Sequence, residues 1–503
     1  MVTVNSKKSF LIYILAALAV VILLNLVARH WFFRLDFTDT KMYSLSDSSK
    51  NVVRQVDDLL TMKIYFSSNL PGEYGNTRRY LQDILEEYQA YSSGNIKFEF
   101  YQPNDDSKLE EEAQKYGIQP VQLQVIENDK LEIKKVYMGM VFIFEDQRET
   151  IPVIQTTTGL EYEITTNIKK LVDEDKKTVG IASLGSEVGT ENIGGVLQQA
   201  YNVMPVDLTQ TIGANIDVLL VSGTTDTLDV TVANNLRSFI ARGGNMLLAQ
   251  NRISADIQAQ TAAPIQSDIF SLLDQYGLHL KENLVLDRRC GQVTVTQQIG
   301  FLRMNNPVDY PFFPLIQNFS DHVTVNGLEQ VRMLFASEID IPVTAVADTV
   351  AGVQPLFITS DNSTTVEQFF NLHPTENPAF KSLNEPGKVV AALSTIVDDT
   401  THIASQLVLV ADNLFLADEG AGRIPENIIF VMNAVDYLMG DSELVALRSR
   451  EITTRPLKEL EDSTRARWKW ANILLPSLLV IGFGIVRWNR EKSRAKMLEE
   501  MYE

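Results

Sequence analysis

Two long apolar runs, one near each end of the 503-residue chain, set the strongest limit on how this sequence can fold. The first is Phe10–Ala28 and the second is Trp470–Val486. At about 1.5 Å per residue, a helix over the first run spans roughly the 30 Å hydrocarbon core of a bilayer. We therefore predict a membrane anchor within residues 1–34 and a transmembrane helix at residues 469–488.

The residues around these runs favour membrane helices over the alternatives. The first run is followed by an aromatic and basic stretch, residues 29–34, and not by the small residues of a signal-peptide cleavage site. The second run contains Pro476 and two glycines, which weaken a soluble helix but are tolerated in a membrane helix. Tryptophan and basic residues lie at both of its ends, which argues against a buried C-terminal helix.

Charge separates the two ends from the middle of the chain. The net charge is −20, to which residues 1–30 contribute +3 and residues 465–503 contribute +4, so that the middle carries −27. Because basic residues concentrate in cytoplasmic flanks, we predict both termini in the cytoplasm and an acidic ectodomain in the periplasm. A stalk at residues 451–468 and a cytoplasmic tail at residues 489–503 complete this topology. The acidic middle argues against nucleic-acid binding, which needs clustered Lys and Arg.

Residues 35–172 have the pattern of an α/β domain. Apolar periodicity predicts the element order β-α-β-α-β-β-α, which resembles a thioredoxin-like domain. Its last three strands are predicted at Val121–Glu127, Glu132–Phe144 and Thr150–Ile154. Pro120 precedes the first of these, where a thioredoxin-like fold carries its cis-proline. No cysteine lies near the first helix, so thiol–disulfide exchange is excluded.

Residues 178–450 have the pattern of a second α/β domain, which begins after a polar linker. Short apolar runs alternate with helical patterns, as in a doubly wound parallel sheet of the flavodoxin type. Residues 252–385 are predicted to be an irregular insertion. Within it, residues 290–320 contain several prolines and many Asn and Gln residues, which predicts a long loop.

Doubly wound sheets bind ligands at the carboxyl ends of their strands. Small and polar residues follow several of the predicted strands there, and these are the candidate ligand contacts: Gly185, Ser186, Glu187, Ser222, Gly223, Asp412 and Asn413. An ordinary turn is the alternative for Glu187. For the pair that follows the last strand, the alternative is a structural tie to the helix that carries Asn433 and Asp436.

Motifs limit the chemistry that the chain can carry. It contains no G-x-x-x-x-G-K-[ST] sequence, so it does not hydrolyse ATP through a P-loop. Its one cysteine, Cys290, lies in the insertion and not on the strand-to-helix turn where an amidotransferase carries its nucleophile. The five histidines lack metal-ligand spacing, and Asp399 and His402 lie in a predicted solvated turn. We predict no catalytic residue, no cofactor and no metal.

Three stretches in this order resemble the auxiliary component of gliding-motility-type ABC transporters. The first is R-L-D-x-T followed by Y-S-L-S within residues 34–46, after the first apolar run. The second is residues 218–249, and the third is residues 407–451, which closes on E-L-V-A-L-R-S-R-E. The resemblance covers nearly the whole chain, but residues 252–385 contribute nothing to it.

The resemblance implies that residues 178–450 form a class I amidotransferase-like α/β domain. It also implies a non-catalytic accessory subunit that works with an ABC permease and a separate ATP-binding subunit. Its periplasmic ectodomain would bind an extracytoplasmic ligand or an envelope protein. Two other functions stay open. An amidotransferase-like or hydrolase-like membrane enzyme would need Cys290 or Glu187 in a cleft with an activating histidine, whereas a structural envelope tether would need only protein contacts.

Overall fold

The computed structural model describes Leu18, Val20 and most residues from 44 onward. The described ranges are 44–68, 70, 72–127, 130–173, 177–185, 188–299, 302–341, 351–397, 404–441, 444–445, 447–448 and 462–502. The chain divides into two compact units, Met1–Thr453 and Thr454–Glu503.

Helices and strands alternate in the N-terminal part of the first unit. In chain order they are α1 (Asp47–Arg54), β1 (Leu60–Phe66), α2 (Gly72–Tyr91), β2 (Ile96–Tyr101), α3 (Ser107–Lys115), β3 (Val121–Glu127), β4 (Lys130–Val136), β5 (Met138–Phe144), β6 (Gln147–Ile151) and α4 (Leu160–Val172).

These elements build a four-stranded sheet with the strand order β2-β1-β5-β6. Strand β1 runs parallel to β2 and antiparallel to β5. Alternate side chains of β1 enter two cores because successive side chains of a strand point to opposite faces. Met62 and Ile64 pack with α1, α2 and α4, whereas Tyr65 packs with Ala113 of α3. The α/β class predicted from the sequence is confirmed for this part.

Two predictions for this part are wrong in detail. The strand predicted at Glu132–Phe144 is divided at Tyr137 into β4 and β5, and β3 with β4 forms a separate two-stranded ribbon. The sequence of β4 alternates with lysine and glutamate, whereas β5 is almost continuously apolar and fits a strand buried on both faces. Pro120 therefore precedes a ribbon strand, and no described residue has a cis peptide bond.

The second part of the first unit is longer and richer in strands. In chain order its elements are β7 (Thr178–Ser183), α5 (Glu191–Leu197), β8 (Asn202–Pro205), β9 (Val218–Ser222), α6 (Val230–Ala241), β10 (Asn245–Ala249), β11 (Ile253–Asp256), β12 (Thr261–Pro264), α7 (Ile269–Gln275), β13 (His279–Leu280), β14 (Asn283–Asp287), β15 (Cys290–Ile299), β16 (Leu302–Ile316), β17 (Asn318–Phe319), β18 (Val331–Arg332), β19 (Ile339–Asp340), β20 (Ala351–Ile358), β21 (Ser363–Glu367), β22 (Val389–Val397), β23 (Ala404–Val410) and α8 (Pro425–Leu438).

An eight-stranded sheet with the order β17-β20-β22-β23-β10-β9-β7-β8 forms the centre of this part. The five strands from β23 to β8 are parallel, and β22, β20 and β17 extend the sheet in antiparallel pairing. Helices cover both faces. Leu197 of α5 and Phe430 of α8 pack in one core, whereas Leu236 of α6 and Leu272 of α7 pack in the other.

The prediction of an irregular insertion at residues 252–385 is wrong for the described residues. Residues 290–320, predicted to be a long loop, contain the hairpin β15-β16, and β17 and β20 join the main sheet. Pro307 lies opposite Thr294 in the hairpin. Proline is tolerated here because this stretch of β16 has a partner strand on one side only, since β18 pairs only near Ile316.

The second unit contains the helix α9 (Asp462–Tyr502), which has Pro476 in its interior. Within the part of the chain that the structure describes, residues 464–494 form the one helical stretch whose length and composition suffice to cross a membrane. The first predicted anchor, Phe10–Ala28, lies outside the described residues except for two helical positions.

Candidate functional site

The carboxyl ends of the parallel strands carry the predicted ligand contacts at one edge of the main sheet. Gly185 follows β7, Ser222 ends β9 and Gly223 follows it, and Asp412 and Asn413 follow β23. Because β7, β9, β10 and β23 are consecutive in the sheet, their carboxyl ends meet at this edge. The other two predicted contacts, Ser186 and Glu187, lie outside the described residues.

A glutamine that follows β10 fixes the middle of this edge. The Gln250 amide nitrogen donates to the Thr224 carbonyl at 2.9 Å, and its oxygen accepts from the Thr224 N–H at 2.8 Å. Gly223 is tightly enclosed, since an added Cβ would lie 2.5 Å from both the Ala249 carbonyl oxygen and Gln250 Oε1. Only glycine fits this position without a shift of the neighbouring strand.

Asp412 is fully buried, and its carboxylate accepts two backbone hydrogen bonds. Oδ2 accepts from the Leu334 N–H at 2.7 Å, and Oδ1 accepts from the Leu414 N–H at 2.8 Å. Burial raises the pKa of Asp412 to about 7, and the two hydrogen bonds oppose this shift only in part. These contacts tie β23 to residues 333–337, an arrangement different from the predicted tie to α8.

The segment Met333–Ser337, here called the strap, covers the strand ends. The Phe335 carbonyl accepts from Asn251 Nδ2 at 3.2 Å, and the Ser337 N–H donates to the Ala411 carbonyl at 3.1 Å. Beneath the strap, Asn251 is 2% exposed and its Oδ1 has no hydrogen-bond partner among the described residues. The strap therefore covers the ends of β10 and β23 at Asn251 and Asp412, whereas Gly185 after β7 is exposed.

The buried Asp412 predicts a pH-dependent stability. Its folded-state pKa of about 7 lies above the value of about 3.9 for an unfolded aspartate, so the folded state binds the extra proton between these limits. We expect the protonation of Asp412 to stabilise the fold fully below about pH 4. This stabilisation falls between about pH 4 and pH 7, with a slope of at most about 1.4 kcal/mol per pH unit. Urea unfolding of the full chain in detergent at pH 5 and pH 7.5 measures the loss.

The matched variant for this prediction is Asp412→Asn, which keeps the side-chain size and removes the titration. We expect the wild-type chain to lose about 2–3 kcal/mol more than this variant between the two pH values. Equal losses in both chains would show that Asp412 does not titrate in this range.

An open cleft lies beside the covered edge, at the carboxyl ends of β7 and β8. Its volume is about 410 Å³. Its wall is mixed: it has apolar side chains such as Ile181, Val203 and Val206, the uncharged polar Gln198, and one carboxylate, Glu191. The cleft can hold a small, largely apolar group with a few hydrogen-bonding atoms.

The amino terminus of α5, which borders this cleft, is filled by a carboxylate of the chain itself. Asp418 accepts hydrogen bonds from the Glu191 N–H at 2.7 Å, the Asn192 N–H at 3.1 Å and Asn192 Nδ2 at 2.7 Å. Exposed N–H groups at a helix start are the usual phosphate site of doubly wound sheets. Because Asp418 occupies these donors, the arrangement disfavours a phosphate or another anion here.

Cys290 lies at the start of β15 and is half-buried. Burial, together with the charge of Asp309, raises the pKa of its thiol to about 11. The thiol is therefore protonated at neutral pH, whereas a cysteine nucleophile needs the thiolate. This environment argues against the amidotransferase-like alternative.

Among the residues that the structure describes, no group of three His, Cys, Asp or Glu side chains is placed to hold a metal ion. The predicted turn with Asp399 and His402 lies outside the described residues.

A buried polar network that the sequence did not predict joins the two parts of the first unit. Arg448 donates to Asn433 Oδ1 at 2.6 Å and to Asp436 Oδ2 at 2.8 Å, both on α8, and it also bonds to the Tyr162 hydroxyl of α4. Tyr201 donates to the second oxygen of Asp436 at 2.5 Å. Burial raises the pKa of Asp436, and the Arg448 charge opposes this shift.

Two family models match the chain. Residues 176–419 match the family described as an ABC-type uncharacterized transport system, and residues 39–143 match a domain of unknown function, DUF7088. An uncharacterized protein of Borreliella burgdorferi is 23% identical over 495 residues, which cover 92% of this chain and 94% of that protein. The first match supports the predicted class, an auxiliary component of an ABC transport system.

Solved structures are similar only at a low level. The mmIFT52 N-terminal domain is 10% identical with a TM-score of 0.35, and the match covers 52% of this chain and 97% of that chain. PurLQS from Thermotoga maritima is 9% identical with a TM-score of 0.24, over 52% of this chain and 99% of that chain. At these scores the likeness carries no functional argument.

Proposed function

We propose that this chain is a non-catalytic, membrane-anchored accessory subunit of an ABC transport system of the gliding-motility type. The observation that carries the proposal is the match of residues 176–419 to an ABC-type transport family. A P-loop is absent from the sequence, so ATP hydrolysis belongs to a separate subunit.

The proposed topology has two anchors, Phe10–Ala28 and the apolar part of α9, with both termini in the cytoplasm and the acidic middle in the periplasm. The exposed apolar side chains of α9, among them Leu478 and Phe483, support this proposal because lipid or a permease helix would cover them. In this arrangement the two anchors pack against the permease of the cytoplasmic membrane.

The proposed ectodomain has a thioredoxin-like domain at residues 35–172 and an amidotransferase-like domain at residues 178–450. The strand order β2-β1-β5-β6 supports the first assignment, and the parallel sheet covered on both faces supports the second. The protonated Cys290 thiol and the helix start filled by Asp418 support a binding role over a catalytic one.

The proposed ligand site is the cleft at β7 and β8, whose lining residues Ser183 and Val188 flank the predicted contacts Gly185, Ser186 and Glu187 in the sequence. Glu191 in its wall and Asp418 at the nearby helix start disfavour an anion, so the cleft favours an uncharged group of an envelope molecule or protein. Of the remaining predicted contacts, Ser222 and Asp412 are buried, so neither is accessible to a ligand in this conformation.

Affinity isolation of the full chain from detergent-solubilised membranes tests the proposed function. We expect an ATP-binding subunit and a polytopic membrane subunit to be recovered with it and identified by mass spectrometry. A structural tether is the second candidate, favoured by the covered strand ends, and it predicts recovery of envelope proteins with neither transporter subunit.

A further inference from the structure

The first turn of α4 contacts two segments that are far apart in the sequence. Glu161 accepts a hydrogen bond from Ser46, in the segment that follows the first apolar run. Its neighbour Tyr162 bonds to Arg448, in the segment that precedes the second run. Successive residues of a helix are about 100° apart around its axis, so the two side chains can hold different partners at once.

The N-terminal segment is held by hydrogen bonds inside the protein. Glu161 Oε1 accepts from the Ser46 N–H at 2.8 Å and from the Ser49 hydroxyl at 2.8 Å. The Ser49 hydroxyl also lies 2.8 Å from the Thr165 hydroxyl, one turn further along α4. Glu161 is 2% exposed and Thr165 is fully buried, so water does not compete for these bonds.

The C-terminal segment is held through Arg448. Its guanidinium carbon lies 4.2 Å from the centre of the Tyr162 ring, and its Nη2 bonds to the Tyr162 hydroxyl. The same guanidinium is fixed on α8 by Asn433 and Asp436. A second contact strengthens this link, since Lys169 near the end of α4 pairs with Asp441 at 2.6 Å.

We propose that the first turn of α4 is a coupling element that ties the two membrane-proximal segments of the chain to each other. Weakening the bond between Ser49 and Glu161 then weakens the bond between Arg448 and Tyr162. Weakening the second bond likewise weakens the first. The role of this coupling rests on the proposed function: movement of either anchor by the permease reaches α4 and, through it, the boundary between the two α/β parts.

Hydrogen exchange of the full chain in detergent tests the coupling. Ser49→Ala removes the hydroxyl bonds to Glu161 and Thr165, and Tyr162→Phe removes the hydroxyl that bonds to Arg448 but keeps the ring. We expect Ser49→Ala to speed exchange in peptides that contain Arg448 by about fivefold, and Tyr162→Phe to speed exchange around Ser46 by a similar factor. Both cross-effects should be present because thermodynamic coupling is reciprocal.

The matched control is Ser394→Ala, which removes another largely buried hydroxyl bond, from Ser394 to the Tyr276 carbonyl at 2.7 Å. We expect it to change exchange near Tyr276 and to leave both membrane-proximal segments unchanged. The proposal is overturned if Ser49→Ala and Tyr162→Phe each affect only their own segment. This readout needs no partner subunit, so a negative isolation experiment would leave it intact and would remove only the proposed role of the anchors.

Discussion

Replacement of Arg448 by methionine is expected to lower the free energy of unfolding by about 3–5 kcal/mol, because it leaves Asp436 buried without its cationic partner. Arg448 is 8% exposed and Asp436 is 1% exposed, so water cannot solvate the Asp436 carboxylate once the guanidinium is removed. The variant also removes the bonds to Asn433 and Tyr162. Pulse proteolysis of the full chain in urea measures the effect. Tryptophan fluorescence is unsuitable, since the four tryptophans lie at positions 31, 468, 470 and 488.

Two further variants separate the lost charge from the lost packing. Arg448→Lys keeps the cation but cannot reach Asn433, Asp436 and Tyr162 together, and we expect a smaller loss of about 1–2 kcal/mol. Asp436→Asn combined with Arg448→Met removes both charges and should recover part of the loss. A loss below about 1 kcal/mol for Arg448→Met alone would show that this network does not hold the two parts together.

Two arginines in the middle of α9 are expected to abolish its insertion into the membrane. An arginine at the centre of a membrane helix raises the apparent insertion free energy by about 2.5–3.5 kcal/mol, so Leu478→Arg with Ile481→Arg adds about 6 kcal/mol. The C-terminal tail then stays on the periplasmic side. A cysteine at Ser493, in a Cys290→Ala background, reports the side of the tail through a membrane-impermeant maleimide applied to right-side-out vesicles.

The expected labelling reverses between the two chains. The Ser493→Cys tail is unlabelled when α9 is intact and labelled when the two arginines are present. Leu478→Phe with Ile481→Leu is the conservative control and should leave the tail unlabelled. In a parallel set of chains, Asp361→Cys takes the place of Ser493→Cys. Residue 361 is exposed in the first unit, so its cysteine should be labelled with and without the two arginines. Labelling of the tail in the parent chain would contradict the proposed topology.

The sequence predicted most of the described elements of the first unit because their apolar periodicity is strong. The strand of residues 218–222 is continuously apolar and buried, as expected for a central parallel strand. The hairpin of residues 290–316 was missed because its Thr, Gln and Asn residues with interspersed prolines resemble a loop, although Tyr310 and Phe312 in its second strand are fully buried. The boundary between β4 and β5 was missed because Tyr137 does not interrupt the apolar pattern.

The candidate site was predictable only in its position. Strand ends could be located, so Gly223 and Asp412 were predicted as ligand contacts, but the strap that binds Asp412 comes from residues with no local signal. Asp418 is more than 200 residues away from the helix start that it caps, and such a pairing leaves no trace in spacing. Arg448 lies in a stretch that carries the family resemblance. Its partner Tyr162 belongs to the other part of the unit, so their contact could not be predicted from the sequence.

ATP hydrolysis by the affinity-isolated particle tests the central claim most directly. The sequence contains no P-loop, so P-loop ATP hydrolysis in the particle would come from a bound subunit. We expect vanadate-sensitive ATP hydrolysis that stays with the tagged chain through size-exclusion chromatography, together with a polytopic membrane subunit. A particle that contains this chain but neither transporter subunit, and that hydrolyses no ATP, would contradict it.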